Sequence, residues 1–86
     1  MSTRKMVKAK KYKYTIILHN DSVNEYAYVI EVLRSVVGME LTQAENAANL
    51  AQKLGKYAIK STNNKEEADA YVDMLIQHDL DVELQM

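Results

Sequence analysis

Two alternating stretches near opposite ends of the chain constrain its fold more than any other feature. Leu80, Val82, Leu84 and Met86 alternate with Asp81, Glu83 and Gln85, a period of two that gives a strand one apolar and one acidic face. Tyr12, Tyr14, Ile16 and Leu18 alternate in the same way with Lys13, Thr15 and Ile17. A third, shorter strand fits Tyr57–Ser61, bounded by Gly55 and by the pair Asn63 and Asn64. Strands need partners for their backbone groups, so these three are expected to share one sheet.

The intervening sequence changes period. Val29, Val32, Leu33 and Val36 recur at helical spacing, and Gly38 stands where a left-handed residue would end that helix. Thr42 and Glu45 have the spacing of a capping box. The helix they would open carries Ala44, Ala47, Ala48, Ala51 and Leu54 on one side, and Gly55 closes it. Asn64 and Glu67 repeat the cap logic ahead of Ala68, Val72, Leu75 and Ile76. The acidic residues at that start oppose the helix dipole favourably. The expected order is β-α-α-β-α-β, an α/β chain of the α+β type. Its three-stranded, mainly antiparallel sheet would be covered on one face by three helices and left wet on the other.

Eighty-six residues suit one small domain. At 48% apolar residues the chain is too rich in core material for a disordered tail. It has no cysteine, which excludes disulfide and thiolate chemistry. No apolar run reaches the ~18–20 residues needed to cross a bilayer, and the N-terminus lacks the apolar core of a signal peptide. The expected address is the cytoplasm, or the plastid stroma if the source bears plastids. Charge is unevenly spread: Arg4, Lys5, Lys8, Lys10, Lys11 and Lys13 stand in residues 1–13 without an acid, whereas residues 14–86 hold five bases and twelve acids. Residues 1–11 therefore read as a flexible basic arm and residues 12–86 as the core domain. Either the arm is simply solvated, or it docks on an acidic partner. Nucleic acid is not an expected partner, because the acidic core would repel phosphates.

The chemistry-bearing residues are few. His19 and His78 lie in different elements without metal-like spacing, and no phosphate loop, nucleophile elbow or zinc pattern is present. The expectation is a chain that is not an enzyme and takes no metal or cofactor. Asn20 and Asp21, where the first strand gives way to the first helix, have two readings. In one they are turn and cap residues, with Asp21, Ser22 or Asn24 capping the helix. In the other they supply oxygens to a primary ammonium, which has three donors and no acceptor. The alanine-lined second helix is likewise either a close-packing surface or the wall of a groove, because alanine fills little volume.

The stretch YTIILHNDSVNEYAYVIEVLRSVVGM (residues 14–39) resembles the start of the Clp protease adaptor family, ClpS, and the likeness continues through TQAE, GKYAI and KEEADAYVDML to the last strand. It covers about residues 12–86. The resemblance implies an adaptor that binds the free N-terminus of proteins beginning with a bulky hydrophobic residue and delivers them to a hexameric AAA+ unfoldase through that enzyme's N-domain. It implies that Asn20 and Asp21 bind the substrate α-amino group. Asn24 would add a polar contact, and Tyr26, Val29, Ala48 and Ala51 would line the side-chain pocket. A family histidine that shares the α-amino group is replaced here by Gln52, or by Lys53 if the register shifts by one. An amide oxygen accepts from an ammonium, whereas a lysine repels it. Tyr26 stands where many members carry a gating Met. The alanines and Tyr26 leave two alternatives: an enlarged pocket with Tyr26 as its lid, or a filled pocket in a module that regulates the unfoldase without N-terminal recognition. Glu66, at the start of the third helix, matches an acidic contact to the unfoldase. The chain is expected to act as a monomer.

Overall fold

The computed structural model describes residues 12–20 and 24–86; the basic arm of residues 1–11, and Asp21 and Ser22 of the first loop, lie outside the described residues. The elements are β1 (Tyr14–His19), α1 (Tyr26–Val32) continued by a π-helical turn (Leu33–Val37), α2 (Leu41–Leu54), β2 (Lys56–Thr62), α3 (Lys65–Gln77) and β3 (Val82–Gln85). The sheet order is β2-β1-β3, with both pairs antiparallel. This is the β-α-α-β-α-β, α+β arrangement that the periodicities predict.

β1 is central, and its residues Ile16 and Leu18 enter the core with Val82 and Leu84 of β3 and with the apolar stripes of the helices. The β2 register skips Ile59 between the pairs Ile16–Lys60 and Ile17–Ala58. That bulge lets Ile59 join the core, although strict alternation would exclude it. The opposite face is less wet than the acidic alternation of β3 suggests. Ile17 is only 7% exposed there, set between Ala58 and Glu83 in register. Around it, Thr15 and Ser61 hydroxyls bond at 3.2 Å, and the His19 Nε2–H donates to Glu83 Oε1.

Helix ends follow the sequence in some places and depart from it in others. Gly38 (φ 85°) and Gly55 (φ 91°) adopt the left-handed conformation after the π-helical turn and after α2, as a C-terminal cap requires. Asn64 Oδ1 accepts the Glu67 N–H at 3.0 Å, the expected cap of α3. The Thr42–Glu45 box is not used. The chain leaves Gly38 extended and re-enters a helix by Leu41, so Glu40 is the cap residue, and its N–H donates to Gln43 Oε1 at 3.2 Å. α1 has Glu25 at its cap position and no side-chain cap bond; Asn24 stands one residue before that position, and its Nδ2 donates to the carbonyl of Asp79. Two residues placed on buried stripes are exposed instead: Leu54, at 67%, is the last residue of α2, and Ile76 lies in the last turn of α3. The α3 cap is a local interaction, so Asn64→Ala should lower unfolding free energy by about 1 kcal/mol in urea titration, with the slope against urea unchanged.

Candidate functional site

The end of β1 is held on both sides. The His19 N–H donates to the Asp81 carbonyl at 2.9 Å, and the Asn20 N–H donates to the Gly55 carbonyl at 2.8 Å. These bonds place Asn20 beside the C-terminal end of α2. The α1 helix begins six residues later and packs against α2. Between β1, α1 and α2 lies a pocket of about 50 Å³ lined by Leu18, His19, Asn20, Asn24, Tyr26, Val29, Ala48, Ala51 and Gln52. Leu18, Val29, Ala48 and Ala51 are buried and form its apolar part. The alanine stripe therefore does both things that the sequence allows: Ala44 and Ala47 pack closely in the core, and Ala48 and Ala51 also wall a concavity.

The polar groups are arranged around that apolar part. Asn20 and Gln52 are exposed, and among the described residues neither side chain has a hydrogen-bond partner. Each carries one amide oxygen, able to accept from a cationic donor. Asn24 is half-buried, and its Nδ2 donates to the Asp79 carbonyl at 2.8 Å. Tyr26, 45% exposed, lines the pocket and donates its hydroxyl to the Glu45 carbonyl of α2 at 3.0 Å. That bond ties α1 to α2. Of the two residues competing for one place in α2, Gln52 lines the pocket and Lys53 does not. A helix turns about 100° per residue, so the neighbour points elsewhere. Asp21 lies outside the described residues.

Leu18 and His19 also line the pocket, though the sequence reading does not single them out. Their place directly before Asn20 on β1 is the signal that could have found them. The contact of Asn20 with Gly55 spans thirty-five positions and has no such signal.

The other candidate, Glu66, is remote from the pocket, in the first turn of α3. Its carboxylate is exposed and has no partner among the described residues. Its neighbours are engaged: Lys65 pairs with Asp69 at 2.9 Å, and Glu67 Oε1 accepts the Thr62 hydroxyl at 2.5 Å. The hydrogen bond that the Lys65 ammonium donates to Asp69, together with the carboxylate's charge, raises the Lys65 pKa above its usual value. Among the described residues no group of three or more His, Cys, Asp or Glu is placed to hold a metal ion, and no helix is long and apolar enough to cross a membrane.

The family model described as ATP-dependent Clp protease adaptor protein ClpS matches residues 9–83. The chain belongs to the ClpS family. No curated protein sequence matches it. ClpS-family proteins are Clp protease adaptors rather than enzymes, and they interact with Clp unfoldases and substrates. Membership spans every described element except the last residues of β3, so the pocket and the α3 start both fall inside the matched region. Within this ClpS-family fold the Tyr26 hydroxyl is a structural bond as well as part of the pocket. Tyr26→Phe should lower unfolding free energy by about 0.5–1.5 kcal/mol, read by thermal or urea unfolding. An unchanged midpoint would mean that water replaces the bond at no loss.

Proposed function

We propose that the chain is a protease adaptor that holds the free N-terminus of a substrate protein in the pocket between α1 and α2 and brings it to a Clp-family AAA+ unfoldase. One observation carries this reading: two side-chain amides, Asn20 and Gln52, without a hydrogen-bond partner among the described residues, stand at a partly apolar pocket in a ClpS-family chain. An ammonium needs acceptors and the first side chain needs apolar walls, and this pocket offers both side by side. Asp21, next to Asn20 in the chain, supplies the carboxylate that makes the contact charge-assisted. Asn24, Tyr26 and Val29 form the α1 wall, and Ala48 and Ala51 form the α2 wall. Glu66, the unengaged acid of the α3 first turn, contacts the unfoldase N-domain.

The test compares a Leu-first peptide with its N-acetylated twin by calorimetry. Acetylation removes the positive charge and leaves the side chain, so the free peptide should bind and the twin should not. Asp21→Ala should weaken the free peptide by roughly 1.5–3 kcal/mol. Equal binding of the two peptides would refute recognition of the α-amino group.

A second reading keeps the unfoldase contact and drops N-terminal recognition, and the Tyr26–Glu45 bond favours it. With the hydroxyl tied to α2, the pocket of about 50 Å³ is roughly a third of the ~150 Å³ cavity known to hold a benzene ring. Silence across peptides starting with Leu, Phe, Tyr and Trp would select this regulator. In either reading Glu66→Lys should weaken unfoldase binding and leave peptide affinity as it was. Parallel loss of both would instead reveal a folding defect.

A further inference from the structure

Glu25, the cap residue of α1, makes no side-chain cap bond, and Asn24, Tyr26 and Val29, three of the pocket residues, belong to or adjoin this start. Bonds from distant elements hold it. At the far end of the chain, α3 closes in a Schellman-type turn: the Leu80 N–H donates to the Leu75 carbonyl at 3.0 Å, and the Asp79 N–H donates to the Ile76 carbonyl at 2.9 Å. Asp79 takes φ 67°, the left-handed conformation that this motif needs and that a non-glycine residue adopts at a strain. Leu75 and Leu80, the apolar partners of the motif, are both buried.

The carbonyls of His78 and Asp79 are used by α1. The Tyr28 hydroxyl donates to the His78 carbonyl at 2.9 Å, and Asn24 Nδ2 donates to the Asp79 carbonyl at 2.8 Å. Both bonds cross at least fifty positions of sequence, one holding the first turn of α1 and the other the chain two residues before it. The Tyr26–Glu45 bond holds the same turn from the α2 side. Tyr28 does not line the pocket, so its hydroxyl acts through its neighbours.

We infer that the C-terminal turn of α3 is the template for the α1 wall of the pocket, and that Tyr28 is a positioning residue for peptide recognition. Its hydroxyl, seated on the His78 carbonyl, sets where Tyr26 and Val29 stand, while the adjacent Asp79 carbonyl orients the Asn24 amide. This inference rests on the N-terminus-binding reading for its functional consequence but not for its structural one.

The test uses the full chain carrying Tyr28→Phe, which keeps the ring and deletes one hydroxyl. Ser61→Ala is the control, since it deletes a hydroxyl bond on the opposite face of the sheet. Amide exchange of Val29, whose N–H donates to the Glu25 carbonyl at 3.1 Å, should accelerate in Tyr28→Phe and stay as in the parent in Ser61→Ala. Affinity for the free Leu-first peptide should fall about three- to tenfold in Tyr28→Phe. The ratio of Leu-first to Phe-first affinity should shift as well, which a uniform loss of folded protein cannot produce. Unchanged Val29 exchange, or equal effects in the Ser61→Ala control, would overturn the inference. If the parent binds no peptide at all, the N-terminus reading falls, and the exchange data alone decide whether α3 positions the turn.

Discussion

The site depends on one backbone contact, the Asn20 N–H held by the Gly55 carbonyl at 2.8 Å. It joins the last residue after the central strand to the residue that ends α2. Gly55 presents its carbonyl there because it adopts φ 91°, a conformation open to glycine and strained for residues with a Cβ. With β1 fixed between its two neighbours and α2 ending beside it, Asn20 and Gln52 line one pocket although thirty-two positions separate them. Main-chain geometry brings these two amides together, and the proposed function uses them as acceptors.

The pocket walls differ in how they are held. The α2 wall is rigid by burial: Ala48 and Ala51 share a helix face with Ala44 and Ala47, which pack in the core against β1 and its neighbours. The α1 wall is anchored by the buried Val29 and carries polar bonds at its edges, from Tyr26 to α2 and from Tyr28 and Asn24 to the end of α3. Hydrogen bonds between part-exposed groups each contribute only about 0.5–1.5 kcal/mol net, so the start of α1 is held less firmly than the α2 face.

Much of the architecture was legible because it follows from periodicity and local capping. Alternation at both chain ends located β1 and β3, the two glycines marked helix ends, and Asn64 capped α3 as its spacing implies. The misses have one physical origin, competition from elsewhere in the fold. Thr42 lost the cap position because the Gly38 turn delivers the chain to a helix earlier, at Leu41. Asn24 falls one residue short of the cap position, which Glu25 takes, and its Nδ2 donates to a carbonyl fifty-five positions away. Ile17 is covered on a face that alternation left open.

By itself, the sequence determined the element order, the family, and the residue types that the proposed function draws on, since these depend on neighbours along the chain and on the matched pattern. Tertiary structure alone decided that Gln52 rather than Lys53 lines the pocket, that Tyr26 bonds to α2, and that the end of α3 bonds to the start of α1. Each of those outcomes is a contact between elements separated by many residues. The strength of such a contact depends on where the packed helices and the sheet bring two groups together, which no local pattern encodes.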